Sequence, residues 1–173
     1  MVITLNGADV VRIAQALRLG AMDMLRVVDF LVLGEGVQRP KGLEGTPAVM
    51  TERGPAFLAL RKLKTGHCVF LEENLCMIHP ARPSVCRSFP FVFRRDLKGT
   101  YWGLSAQKEI CPGLGVGPEV SESELSVLAA AVLDDMDSYH EFAAEWNQGE
   151  SHPTAIRLVS AIMSDSRFQH ESF

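Results

Sequence analysis

The sequence predicts an α+β fold, predominantly α-helical, in which N-terminal and C-terminal helices flank an irregular cysteine-bearing centre with a short β-hairpin. Three observations predict it. Amphipathic stripes at three- and four-residue steps occupy both ends of the chain. Glycines and prolines crowd the stretch between them. All four cysteines, Cys68, Cys76, Cys86 and Cys111, fall in that punctuated middle. With 173 residues, 47% hydrophobic and 22% charged, the chain suits one globular unit, and residues 1–173 are expected to form a single domain.

Residues 4–33 read as helical. Asn6 with Asp9 makes a helix start, and Val10, Ile13, Ala14 and Leu17 share one face. Gly20 interrupts, after which Met22, Leu25, Val28 and Leu31 or Val32 make a second, shorter stripe. Residues 34–55 hold Gly34, Gly36, Gly42, Gly45 and Gly54 with Pro40, Pro47 and Pro55, which reads as a connecting loop. In the middle zone, about 56–112, residues 56–60, 68–71, 91–94 and 100–104 are extended candidates. Leu97-Lys98-Gly99-Thr100 turns between the last two to make the hairpin, and a short helix is expected over 83–88. Pro80, Pro83, Pro90 and Pro112 limit everything else. The last zone opens on a capping box, Ser121 with Glu124. Leu125, Leu128, Val132, Met136, Tyr139, Ala143 and Trp146 follow as a packing stripe that ends at Gly149. Pro153 is placed as the first residue of a final helix carrying Ile156, Val159, Ile162 and Met163.

Bulk properties narrow the function. A formal charge of -4 supplies no general electrostatic reason to bind nucleic acid or an anionic membrane. No apolar run approaches the roughly 18 residues of a membrane-spanning helix. Asp9 and Arg12 stand where a signal peptide is apolar, so the chain is expected in the cytoplasm. Thiols stay reduced there, and clustered cysteines are more often ligands or catalysts than disulfides. One buried cysteine alone is ordinarily a small core residue. Four gathered in a loop-rich centre point instead to one metal site.

Their spacing is Cys68-x7-Cys76-x9-Cys86-x24-Cys111. Thiolates bind soft or borderline ions such as zinc, iron or an iron–sulfur cluster. Structural zinc usually shows a close C-x2-4-C pair, which this sequence lacks. Wide spacing and the Cys111-Pro112 ending tilt the reading toward an iron–sulfur cluster, with a zinc ion as the alternative. Val69, Phe70, Val85, Phe89 and Ile110 are apolar neighbours able to shield it. His67 and His79 lie close to cysteines, but a loop histidine in solvent or on a backbone group is the favoured reading for each, over ligation. His140, His152 and His170 belong to the C-terminal helices or their flanks. Arg82 and Arg87 flank Cys86; they are expected to lower its thiol pKa, or else to pair with Glu72 or Glu73. Gly113-Leu114-Gly115-Val116-Gly117 neither follows a strand nor opens a helix directly, so it reads as a loop, not a phosphate cradle.

Several segments together resemble a family. Cys68-Val69-Phe70-Leu71, Cys76-Met77-Ile78-His79, Arg82-Pro83-Ser84-Val85-Cys86-Arg87-Ser88-Phe89-Pro90-Phe91, Cys111-Pro112-Gly113 and the helix ending Trp146-Asn147 are similar to the zinc- or iron-chelating cysteine-cluster family of the CxxCxxCC type. Related cysteine patterns occur in flagellin lysine methylases. The resemblance implies metal binding, not a particular reaction. A departure is visible: the family's first cysteine set normally precedes a segment like Ile3-Thr4-Leu5 through Ile13, and no cysteine stands before it here. Either this member lacks that set, in which case four thiolates suffice for one four-coordinate site, or a start further upstream adds ligands.

The leading expectation is therefore a cytoplasmic metal-binding protein holding one centre through Cys68, Cys76, Cys86 and Cys111. It would serve electron transfer, metal handling or structural support, with the metal or cluster as its partner. The alternatives are an enzyme, methyltransferase-related or thiol-redox, using the cysteine site, and an interaction module stabilised by zinc.

Overall fold

The computed structural model describes every residue except Met1, Glu35, Pro40, Lys41, Glu44, Gln107, Ile110 and residues 170–173. Pro40, Ile110 and His170, used in the sequence reading, thus lie outside the described residues.

The chain enters along a sheet before it turns helical. Leu5 N donates to Leu58 O (2.9 Å) and Leu60 N to Ile3 O (2.8 Å). Asn6 then caps α1, Gly7–Leu17, with the reciprocal bonds its sequence predicts: Asp9 N to Asn6 Oδ1 at 2.8 Å and Asn6 N to Asp9 Oδ2 at 3.2 Å. Val10, Ile13 and Ala14 are buried, while Leu17 at the end of the stripe is exposed. Arg18 takes a left-handed conformation (φ 54°) and closes the helix.

The second expected helical stripe survives only as α2, Ala21–Met24. Val28–Val32 is a strand, β1, and not a continuation of that helix. Its partner explains the difference. β1 pairs antiparallel along its whole length with β3, Gly54–Leu60, from Val28↔Leu60 to Val32↔Ala56. Val, Phe, Leu and Val fit a pleated surface as well as a helical stripe, and pairing with a distant strand decides. The Gly/Pro-rich stretch 34–55 also holds a short strand, β2, Val49–Thr51, on the other side of β3. Ala56–Leu60 is buried throughout, as the middle strand of the order β1-β3-β2 must be.

The centre is irregular, as expected, with two small hairpins. Residues 68–71 are not an extended run: Cys68 makes an isolated bridge to Lys62, a turn follows, and β4, Leu71–Glu72, pairs with β5, Leu75–Cys76. A 3-10 turn over His79–Ala81 leads to α3, Ser84–Ser88, the short helix expected after Pro83. β6, Phe91–Asp96, and β7, Gly99–Leu104, form the predicted hairpin around Leu97 and Lys98.

The C-terminal zone follows its sequence closely. α4, Glu122–Gly149, opens on the Ser121–Glu124 capping box. Leu125, Tyr139, Ala143 and Trp146 of the stripe are buried, with Ala129 and Phe142 beside them. α5, Ala155–Ser164, is capped by Thr154, whose side chain accepts from Arg157 N, so Pro153 precedes the cap rather than starting the helix. Apolar residues of α1, the sheet, α4 and α5 meet in one cluster, and Cys68, Val69, Phe70 and Cys76 pack against its outside. The cysteine region is therefore fastened to the core from one side.

Candidate metal centre

Cys76 ends β5, while Cys68 stands ahead of β4, at its bridge to Lys62 and across the turn at Val69 and Phe70. Glu73 and Asn74 join the strands with positive φ at both positions (46° and 64°), the two-residue turn whose twist suits paired strands. Leu71 stands opposite Cys76, and Met77 N donates to Phe70 O at 2.9 Å, so the arms stay together past the strands. Phe70 N donates to Cys68 Sγ at 3.5 Å.

Cys86 arrives from another piece of chain. Ile78 and Ala81 are buried and seat the 3-10 turn against the core. Cys86 N and Arg87 N both donate to Pro83 O at 2.9 Å, forming the first turn of α3. Beneath that turn lies a buried polar network absent from the sequence reading. Asp9 Oδ1 accepts from Ser84 N (2.8 Å), Ser84 Oγ (2.9 Å) and Arg12 Nη1 (2.9 Å). Arg12 also donates to Arg82 O (3.2 Å) and through Nη2 to Asp135 Oδ2 (3.1 Å). Burial pushes the Asp9 carboxyl upward, against the opposing pull of Arg12 and the bonds from Ser84 and Asn6. A signal for this network did exist: Asp135 stands on the packing stripe of α4, three residues after Val132 and four before Tyr139, where an apolar residue would be ordinary.

The electrostatics of Cys86 reverse the expectation drawn from its flanking arginines. Its thiol is pushed up to about 11, first by burial, then by the negative charge of Asp9 and of the neighbouring Cys68 and Cys76. Arg82 pulls the other way and is outweighed. Asp9 and Asp135, both part of the same network, act electrostatically on Arg87.

Cys68 and Cys76 thus both act electrostatically on Cys86, and all three are half-buried free thiols. Cys111, half-buried and free as well, lies on the loop between β7 and α4, where its carbonyl accepts from Leu114 N at 3.0 Å. Among the described residues, no three His, Cys, Asp or Glu side chains already stand as a ready-made ligand set. Of the expected shield, Val69 and Phe70 are half-buried against the core, whereas Val85 and Phe89 are 37% and 36% exposed. His67 and His79 are exposed, and His140 Nε2 hydrogen-bonds Gly45 O at 2.8 Å. The glycine-rich stretch 113–117 is loop, as read.

The donor chemistry fits a soft metal. Cys68, Cys76 and Cys86 are free, half-buried thiols, Phe70 N is directed at one of the sulfurs, and Arg82 Nε is buried without a hydrogen-bond partner among the described residues. Arg82 acts electrostatically on Cys86, and a buried N–H in that condition is one that a negatively charged sulfur would satisfy. In a loaded centre the thiolates would be the ligands, and the metal would supply the positive charge that lets neighbouring sulfurs ionise together.

Comparison with known proteins agrees with this chemistry. No curated protein and no solved structure matches the chain. The family model CxxCxxCC, described as "Putative zinc- or iron-chelating domain", matches residues 16–112 and so takes in Cys68, Cys76, Cys86 and Cys111. That description accommodates a zinc ion and an iron–sulfur cluster alike. Since the match spans more than half of the chain, the protein belongs to the CxxCxxCC family of zinc- or iron-chelating domains.

Proposed function

We propose that the chain is a single-domain cytoplasmic protein that holds one thiolate-ligated metal centre through Cys68, Cys76, Cys86 and Cys111. The observation that carries this reading is the match of the zinc- or iron-chelating family model over residues 16–112, and the electrostatic influence of Cys68 and Cys76 on Cys86 supports it. Cys111, on the loop between β7 and α4, is the fourth donor of this reading. Wide spacing between the donors favours an iron–sulfur cluster over a single zinc ion, and electron transfer or metal handling is the corresponding role.

One observation favours structural support within the same reading. The elements carrying the thiols are short: Cys68 sits at an isolated bridge, Cys76 in a strand of two residues and Cys86 in the five-residue α3. Elements of that length do not hold themselves in place, and a shared metal would fasten them to each other.

Anaerobic purification followed by metal and sulfide analysis tests the choice. A brown protein with about four irons and matching sulfide supports the cluster, and a colourless one with a single zinc selects the alternative. Single Cys→Ser variants at all four positions should lose metal together. Retention of full metal content by any one of them removes that residue from the ligand set.

A further inference from the structure

Asp9 does more than cap a helix. Its Oδ2 completes the reciprocal cap with Asn6 N, while Oδ1 is committed elsewhere, to both the backbone N–H and the hydroxyl of Ser84, 75 residues further along the chain. The residue is 1% exposed. A capping carboxylate ordinarily sits at the surface, where one oxygen does the work and water takes the other. Here the second oxygen reaches the residue that starts α3, two positions before Cys86. Arg12, held by Asp9 at 2.9 Å, adds a third anchor by donating to Arg82 O. The segment entering α3 is thus tied at Arg82 O, Ser84 N and Ser84 Oγ to a single carboxylate–guanidinium pair on α1.

We propose that Asp9 is a positioning residue of the metal centre, which through Ser84 fixes the first turn of α3 and so aims Cys86 at Cys68 and Cys76. The inference rests on the metal-binding reading above. One consideration gives it direction: α3 has five residues and cannot set its own orientation, so its placement comes from the groups that grip its start.

Cobalt(II) titration of the metal-free protein tests it, because the intensity of the sulfur-to-cobalt charge-transfer band reports how many thiolates bind. Asp9→Ala should weaken cobalt binding about 10- to 100-fold, the usual consequence of removing a group that orients a ligand. At saturating cobalt its spectrum should match that of Cys86→Ser, with one thiolate fewer than the unaltered chain. Asn6→Ala serves as the control: it removes the acceptor for Asp9 N but leaves the contacts to Ser84, so it should lower the melting temperature and keep the full spectrum. A merely architectural Asp9 would behave like Asn6. An Asp9→Ala spectrum identical to that of the unaltered chain, with affinity within about twofold, overturns the proposal. If Asp9→Ala does not fold, Ser84→Ala decides, since it removes the hydroxyl contact and leaves the backbone bond. Weaker cobalt binding with an altered band then supports the role, and unchanged binding overturns it. Should the unaltered chain take up neither cobalt nor a reconstituted iron–sulfur centre, the metal reading fails and the role of Asp9 fails with it.

Discussion

Cys86 carries a proton more tightly than an ordinary thiol, and that has a signed consequence. Its pKa in the folded protein, about 11, lies above the value of about 8.5 expected once the chain unfolds. A raised folded-state pKa contributes stability that is present below the unfolded value and lost as pH climbs toward the folded one. The metal-free protein should therefore lose stability between about pH 8.5 and 11, and Cys86→Ala should flatten that alkaline limb in urea titrations. An unchanged limb in the variant would assign the loss to another group. The same proton competes with metal, so apparent metal affinity should keep rising with pH through this window instead of levelling off in the ordinary thiol range.

At the level of elements, helix starts offer the cleanest measurements. Ser121 caps α4 with its side chain on Glu124 N at 3.2 Å, and Ser121→Ala should cost about 1 kcal/mol in urea denaturation. Gly7 opens α1 beneath Phe168, whose ring atoms occupy the space where a β-carbon would stand. Gly7→Ala should thus destabilise by about 1–3 kcal/mol, opposite to the gain that alanine usually brings to a helix. A stabilised Gly7→Ala protein would show that Phe168 moves aside freely. Both starts were legible in the sequence because capping boxes and 3.6-residue stripes are local signals. β1 was not. Val28, Leu31 and Val32 satisfy a helical stripe and a strand equally, and only pairing with Leu60 and Ala56, far along the chain, separates the two. β2 escaped for a related reason. It is three residues long and lies in a stretch whose glycines and prolines dominate any local reading.

Taken whole, the molecule joins a continuous apolar core to an irregular cysteine region attached along one side. The ligand candidates were readable from the sequence because four cysteines in one window is a compositional fact. The platform beneath them was not, since Asp9, Arg12, Ser84 and Asp135 meet only after α1, α3 and α4 have packed. This arrangement predicts an uneven response to chelators. Hydrogen exchange should accelerate in residues 66–90 when metal is removed, while the β1–β3 ladder and the middle of α4 stay protected. Uniform acceleration would mean that the whole fold depends on metal. The far rim of the sheet carries a separate lesson. Asn147 accepts from Met50 N (2.8 Å) and donates to Ala48 O (2.9 Å), while Trp146 Nε1 donates to Met50 O (2.9 Å). Two side chains of α4 thereby occupy the hydrogen-bonding row of β2 that another polypeptide would otherwise recruit, sealing a template for strand-by-strand self-association. Asn147→Ala should raise light scattering on gentle heating well before the fold itself melts.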